Sequence, residues 1–109
     1  MFAPEKTPRE RRQALRDSLT SETITKLPGA FNPLTARLIE DIGAFEGVYV
    51  SGAVVANDLG LPDIGLTTLS EVANRGGQIA RATNLPVLID ADTGFGEPMS
   101  AARTVAEFE

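Results

Sequence analysis

The sequence predicts an α/β fold in which an N-terminal helix precedes three strand–helix units on a parallel sheet. Short apolar segments alternate with segments whose apolar residues recur every three to four positions. Residues 85–89 are a continuous apolar run, which is typical of a parallel strand buried on both faces. Helix-capping residues stand before the helical segments, at Thr7, Asn32 and Thr68. Alternation of this kind indicates parallel strands joined by right-handed crossovers.

The amino-terminal part predicts a helix at the surface. Residues 7–10 read Thr-Pro-Arg-Glu, a capping box with proline at the first helical position, so we expect a helix from about Pro8 to Leu19. Its apolar content is thin, which favours a surface position or a contact with a partner. We therefore divide the chain into a helical segment at residues 1–22 and an α/β part at residues 23–109.

The first strand–helix unit has a weak strand signal at residues 24–27. Asn32 then caps a helix that has Pro33 in its first turn and ends near Gly43. The helical spacing predicts four buried side chains on this helix, Leu34, Leu38, Ile39 and Ile42.

The second unit begins with a strand at residues 45–50, which ends in Ser51 and Gly52. Residues 53–65 have no clear period and contain two glycines and a proline, so they predict a long loop. A second capping box at residues 68–71 starts a helix that ends near Ala82. The expected buried face of this helix consists of Leu69, Val72, Ala73, Gly76, Ile79 and Ala80.

The third unit pairs the apolar strand at residues 85–89 with a helix that opens at Pro98. Its expected buried residues are Ala101, Ala102, Val105 and Phe108. The helical pattern continues to Glu109 without a cap, and three strands cannot close a barrel. We therefore expect the chain to be truncated.

Composition excludes several kinds of site. The chain has 15 acidic and 10 basic residues, and the acidic excess lies after residue 31, which argues against nucleic-acid binding. No apolar run reaches the length of a membrane span, and no signal peptide is evident, so a cytoplasmic protein is expected. The chain contains no Cys and no His, which excludes disulfides, thiolate zinc sites and histidine catalysis within it.

Asp90 and Asp92 are candidate metal ligands. They follow an apolar strand two residues apart, so in extended backbone they point to the same side. Mg²⁺ prefers oxygen ligands, keeps several waters and often takes one or two carboxylates from the protein. The alternatives are a solvated acidic strand end or a cap for the following helix, and Asp-x-Asp also occurs in glycosyltransferases and phosphatases.

Glycines and a serine stand beside these acids in the predicted loops. Gly94 and Gly96 permit a sharp turn and close approach of a ligand, although an ordinary strand-to-helix turn explains them equally well. Ser51 and Gly52 offer a hydroxyl and backbone N–H groups to an anionic oxygen. With no His in the chain to activate it, Ser51 is predicted to bind a ligand rather than to act as a nucleophile.

Four segments together resemble one known family. They are Leu27-Pro28-Gly29-Ala30-Phe31, Gly47-Val48-Tyr49-Val50-Ser51-Gly52, Leu59-Gly60-Leu61-Pro62-Asp63-Ile64-Gly65 and Leu88-Ile89-Asp90-Ala91-Asp92-Thr93-Gly94-Phe95-Gly96. From about residue 27 onward, the chain resembles the methylisocitrate lyases of the isocitrate lyase/phosphoenolpyruvate mutase superfamily. The resemblance implies a (β/α)₈ TIM barrel, of which the chain would hold the N-terminal helix and the first three strand–helix units.

The resemblance also implies an activity and its residues. The reaction would be Mg²⁺-dependent cleavage of a tricarboxylate, 2-methylisocitrate, to pyruvate and succinate in the methylcitrate cycle of propionate catabolism. Asp90 and Asp92 match the magnesium-binding acids, and Asp63 matches an acid beside the metal site. Residues 51–53 match the segment that holds the substrate carboxylate, namely Ser51, Gly52 and Ala53.

The chain departs from the family pattern at three places. Ala53 stands where many relatives have glycine, and Pro62 stands where phosphonate-forming relatives tend to have arginine. The family's catalytic cysteine lies beyond Glu109, so we expect no catalytic residue and no activity in the isolated chain, whereas the full-length form would be a homotetramer. Isocitrate lyase, an oxaloacetate-type hydrolase or decarboxylase, and a non-catalytic fragment or interaction module remain as alternatives.

Overall fold

A computed structural model describes residues 3–109 of the chain. Met1 and Phe2, the start of the predicted segment 1–22, lie outside the described residues. Within residues 3–109 the order of elements is α1 (Pro8–Leu19), α2 (Pro33–Ile42), β1 (Val48–Val50), α3 (Gly52–Asp58), α4 (Leu69–Ala80), β2 (Val87–Ile89) and α5 (Pro98–Phe108). None of the helices in this range is long and apolar enough to cross a membrane.

Helix α1 begins at the predicted capping box and lies at the surface. Thr7 accepts a hydrogen bond from Glu10 N, while the Glu10 carboxylate accepts one from Thr7 N at 2.7 Å. No residue of α1 is buried, which confirms the predicted surface position. Arg11 attaches α1 to the end of α4, because its Nη1 donates to Ala80 O at 2.7 Å and to Thr83 O at 3.2 Å.

Two strands form the sheet within residues 3–109, and they are parallel. Val48 pairs with Val87 and Val50 pairs with Ile89. The prediction of a first strand at residues 24–27 is wrong, because those residues are not in a strand. Just after them, Gly29 forms an isolated parallel bridge with Tyr49. Pro28 has no N–H to donate, which limits the pairing possible here. The fold is therefore α/β with a small parallel sheet, but three strand–helix units are not confirmed.

One face of the sheet packs against the helices. Val48, Val50, Val72 and Ile79 are buried in the core, and an atom added as Cβ on Gly76 of α4 would lie 2.6 Å from Ile89 Cδ1. Side chains alternate between the two faces of a strand, so Leu88 points the other way. It is 46% exposed, so β2 is not buried on both faces and that prediction is wrong.

Helix α2 has the predicted Asn32 cap, but three of its four predicted core residues are not buried. Asn32 Oδ1 accepts a hydrogen bond from Thr35 N at 2.8 Å. Ile39 is buried together with Ala36, on the side that meets α4. Leu34, Leu38 and Ile42 are each more than half exposed, so their assignment to the core is wrong. The apolar arc of α2 is wider than its contact with α4.

Helix α3 occupies residues 53–58 of the loop predicted at residues 53–65, so that part of the prediction is wrong, whereas residues 59–65 form a loop as predicted. Ser51 caps it, and Val55 and Ala56 are buried against the rest of the chain. The helix has only seven residues, too few to establish a helical period in the sequence. Tertiary packing of these two apolar side chains, rather than propensity, explains why the helix forms.

Helices α4 and α5 lie where they were predicted. The α4 capping box is present, and Val72, Gly76 and Ile79 are buried as expected. On α5 the predicted face is only partly confirmed, because Phe108 packs against the core whereas Val105 is 63% exposed. The buried residue of α5 is a polar one, Thr104.

Candidate metal- and carboxylate-binding site

The candidate residues meet at the carboxyl edge of the parallel sheet. Ser51 directly follows β1 and Asp90 directly follows β2. The parallel register continues one step past the strands, since Asp90 N donates to Val50 O at 3.0 Å. Loops at this edge are where parallel α/β proteins usually bind ligands. Two segments that are almost 40 residues apart in the chain are thus adjacent in the fold.

The two carboxylates converge beside Gly52. A Cβ atom placed on Gly52 would lie 2.8 Å from Asp90 Oδ2, 3.2 Å from Asp90 Cγ and 3.5 Å from Asp92 Oδ1. Both acids therefore reach the same small volume, although Asp92 does not have the extended backbone that the spacing argument assumed. Gly52 itself is buried, so this volume lies against the end of β1 and the start of α3.

The backbone of residues 90–96 is unusual, and this sets where Asp92 points. Asp92 has φ 47° and Phe95 has φ 62°, in the left-handed region that non-glycine residues rarely adopt. Each such residue costs on the order of 1 kcal/mol, which the surrounding structure must offset. Asp90 Oδ1 accepts a hydrogen bond from Asp92 N at 2.9 Å, so the first acid fixes the backbone of the second.

Thr104 of α5 fixes the same loop from the other side, and the sequence analysis did not identify it. Its Oγ1 is 2.7 Å from Gly94 O and 3.0 Å from Ser100 O. Gly94 has φ 97°, and a Cβ there would lie 2.5 Å from Ala101 Cβ. Close packing of the loop against α5 therefore requires this glycine, which favours the turn explanation over ligand approach for Gly94.

Ser51 is the N-cap of α3. Its Oγ lies 3.5 Å from Val54 N, the outer limit of a hydrogen bond, and the side chain is half-buried. As an acceptor in this cap, the hydroxyl keeps its own proton free to donate. Ala53 follows in the first turn of α3 and is also half-buried.

Asp63 lies across a cleft from the acidic loop. The loop between α3 and α4 and the loop after β2 together line a cleft of about 560 Å³, and both Asp63 and Asp92 belong to its lining. Asp63 is exposed. Asp92 is thus the residue shared between the cleft with Asp63 and the carboxylate pair with Asp90.

The donor set fits a hard divalent cation that retains water. Asp90 and Asp92 supply carboxylate oxygens around a space that a Cβ at Gly52 would fill. No group of three or more His, Cys, Asp or Glu side chains suited to a metal occurs within residues 3–109. Mg²⁺ is commonly held by one or two carboxylates with several waters, whereas zinc and calcium ordinarily take more protein ligands.

The chain matches known proteins over most of its length. The family model described as phosphoenolpyruvate phosphomutase matches residues 15–109. Over all 109 residues the chain is 68% identical to probable 2-methylisocitrate lyase 2 of Corynebacterium glutamicum, of which it spans 35%. It is 42% identical to oxaloacetate decarboxylase of Bradyrhizobium sp. over 101 residues, which are 93% of this chain and 35% of that protein.

A solved structure gives a similar match. Phosphonopyruvate hydrolase in complex with oxalate and Mg²⁺ aligns with a TM-score of 0.83 at 31% identity, over 90% of this chain and 34% of that chain. The chain therefore spans about a third of the length of these relatives.

Proposed function

The chain belongs to the isocitrate lyase/phosphoenolpyruvate mutase superfamily, and from this premise we propose that it forms the metal-binding part of a Mg²⁺-dependent lyase that cleaves 2-methylisocitrate. The products would be pyruvate and succinate. The observation that carries the proposal is the 68% identity, over every residue of the chain, to a probable 2-methylisocitrate lyase. The second relative, at 42%, is an oxaloacetate decarboxylase.

Asp90 and Asp92 would hold the metal at the end of β2. Mg²⁺, when bound, supplies positive charge that stabilises the enolate-like charge developed as the carbon–carbon bond breaks. The convergence of both carboxylates on one volume beside Gly52 supports this role. The Mg²⁺ in the phosphonopyruvate hydrolase structure supports the choice of metal.

Residues 51–53 would hold a carboxylate of the substrate. The Ser51 hydroxyl can donate its proton to an anionic oxygen, and the end of β1 places it at the same edge as Asp90. Gly52 and Ala53 would contribute backbone N–H groups from the first turn of α3. Asp63, across the cleft from Asp92, would orient water around the metal rather than bind the metal directly.

The small parallel sheet would be one part of a (β/α)₈ barrel. The exposed side chain of Leu88 supports this, because an apolar residue on an open sheet face is suited to burial by further strands. A protein that contains this part would assemble as a homotetramer, a proposal that rests on the family resemblance, and its cytoplasmic location is proposed from the composition. Light scattering of the full-length protein measures that assembly.

A fusion protein tests the activity. Residues 1–109 would replace the matching 35% of the Corynebacterium glutamicum relative, so that the relative supplies the remaining two thirds. We expect the purified fusion to cleave 2-methylisocitrate with Mg²⁺. In the fusion, Asp90→Asn is expected to lower kcat/KM by about 100-fold or more.

The matched control is Asp17→Asn, on the exposed surface of α1, which should leave the rate unchanged. A folded fusion with no lyase turnover contradicts the proposal. Higher kcat/KM on oxaloacetate or isocitrate than on 2-methylisocitrate would assign the chain to another branch of the superfamily instead. The second candidate, oxaloacetate decarboxylation, is supported by the 42% identity, which is lower than the 68% identity to the probable 2-methylisocitrate lyase.

A further inference from the structure

We propose that Gly52 is a positioning residue for Asp90, because the absence of a side chain at Gly52 leaves the space that the Asp90 carboxylate occupies. The inference rests on the proposed function in so far as that carboxylate binds metal. It assigns Gly52 a second role, separate from donating a backbone N–H to the substrate. The reason is steric, because any Cβ at residue 52 would displace the Asp90 carboxylate.

The contact involves the functional end of the Asp90 side chain. A Cβ on Gly52 would lie 2.8 Å from Asp90 Oδ2 and 3.2 Å from Asp90 Cγ. At 2.8 Å from Oδ2 the carboxylate must shift, and at 3.2 Å the contact with Cγ is tight, since carbon atoms in contact are optimally 3.5–4.0 Å apart. The Asp92 oxygen, at 3.5 Å, is in ordinary contact.

The backbone at Gly52 cannot readily move to relieve this contact. Val50 O accepts a hydrogen bond from Asp90 N at 3.0 Å, and Ser51 O accepts one from Val55 N at 3.1 Å. Gly52 is buried between these two bonds, at the start of α3. The Asp90 carboxylate is only half-buried and can turn about its side-chain bonds, so it is the group that gives way.

Displacement of Asp90 would also disturb the second acid. Asp90 Oδ1 accepts the hydrogen bond from Asp92 N that helps to hold Asp92 at φ 47°. A rotated Asp90 carboxylate loses this bond. A single methyl group at residue 52 therefore weakens both candidate metal ligands while leaving the core intact.

Gly52→Ala tests the inference, with Gly29→Ala as the matched control. Gly29 also lies beside β1, but its nearest neighbour to an added Cβ is Tyr49 O at 3.9 Å, an ordinary contact. We expect Gly52→Ala to weaken Mn²⁺ binding, measured by electron paramagnetic resonance as a stand-in for Mg²⁺, by about 10- to 100-fold. Gly29→Ala should bind Mn²⁺ as the unaltered chain does.

A second measurement does not require metal. The Asp90 χ1 angle, from NMR three-bond couplings, should change in Gly52→Ala and stay unchanged in Gly29→Ala. An unchanged χ1 together with unchanged Mn²⁺ affinity in Gly52→Ala overturns the inference. If the unaltered chain binds no Mn²⁺ but χ1 still changes, the positioning role stands and the metal role in the proposed function fails.

Both measurements are made on the 109-residue chain and repeated in the fusion protein. Heteronuclear NMR spectra of each variant report whether it folds. Loss of the folded spectrum in Gly52→Ala, in both settings, also overturns the inference, because the contact would then be too rigid for Asp90 to move aside.

Discussion

At the scale of single residues, Asp92 has two separate features, a backbone with positive φ and a carboxylate near that of Asp90. Its backbone is left-handed at φ 47°, which Asp and Asn tolerate better than other non-glycine residues. Its carboxylate converges with that of Asp90 beside Gly52. The backbone conformation affects stability, whereas under the proposed function the carboxylate charge affects metal binding, so substitutions can separate the two effects.

Asp92→Asn is expected to keep the fold and lose the metal. Asn retains the tolerance for positive φ, so the free energy of unfolding should change by less than about 0.5 kcal/mol. Mn²⁺ affinity should fall by about tenfold or more, since a charged oxygen ligand is lost. Asp92→Ala is the comparison, because it should lose metal affinity and also about 1 kcal/mol of stability. Urea unfolding and Mn²⁺ titration give the two quantities, and equal stability losses in both variants would contradict this account.

At the scale of elements, α1, α2 and α4 were predicted well from their capping residues, whereas the sheet and α3 were predicted less well although Ser51 caps α3. Thr7, Asn32 and Thr68 mark the starts of α1, α2 and α4 in the sequence, because capping is a local interaction. Two predictions were wrong for the same reason: the strand at residues 24–27, and the loop where α3 forms. Their structures depend on long-range contacts, with Tyr49 in one case and with the buried core in the other.

Thr104 of α5 also depends on a contact outside its own helix, because its hydroxyl meets Gly94 in the loop before α5. Its side chain is 3% exposed, and its hydroxyl donates to the carbonyl of Gly94 or to that of Ser100. Thr104→Val should cost about 1 kcal/mol in urea unfolding, because the hydrogen bond between the buried hydroxyl and the half-buried loop residue Gly94 is lost. Amide hydrogen exchange in residues 90–96 should accelerate, since that loop loses its attachment to α5.

Thr104→Ser keeps the hydroxyl and should retain slow exchange in the loop, at the smaller cost of one methyl group. Equal exchange rates in Thr104→Val and Thr104→Ser would show that packing, rather than the hydrogen bond, holds the loop. The sequence places Thr104 among the apolar residues of α5 but gives no indication of which carbonyl it meets.

At the scale of the whole molecule, part of the geometry of the site depends on contacts that no local pattern predicts. The spacing of Asp90 and Asp92 predicted a shared side only for extended backbone, which Asp92 at φ 47° does not adopt. The resemblance named both acids. That Gly52 lies against them follows only from the parallel register of β1 and β2. Likewise the exposure of Leu34 and Leu88 could not be predicted, because apolar periodicity reports which face is apolar and not what covers it.

A carboxylate on α2 links three distant parts of the chain. Glu40 accepts hydrogen bonds from Thr83 Oγ1 at 2.5 Å, Asn84 N at 2.8 Å and Asn84 Nδ2 at 3.1 Å. Asn84 Oδ1 in turn accepts from Glu5 N and Lys6 N. Burial raises the pKa of Glu40, but the hydrogen bonds from Thr83 and Asn84, with the charge of Arg37, outweigh burial and hold that pKa below its ordinary value.

This lowered pKa predicts how stability depends on pH. A carboxyl group whose pKa is lower in the folded state contributes stability above its unfolded pKa, and that stability is lost as the pH falls through the folded value. The urea midpoint should therefore fall on acidification below about pH 4.5, and Glu40→Gln should flatten that part of the curve. At neutral pH Glu40→Gln should cost about 1 kcal/mol, a modest value because the site is only partly buried. Glu22→Gln, at an exposed position outside this network, is the control and should leave the acid limb unchanged. An acid limb equally steep in Glu40→Gln would contradict the assignment of this dependence to Glu40.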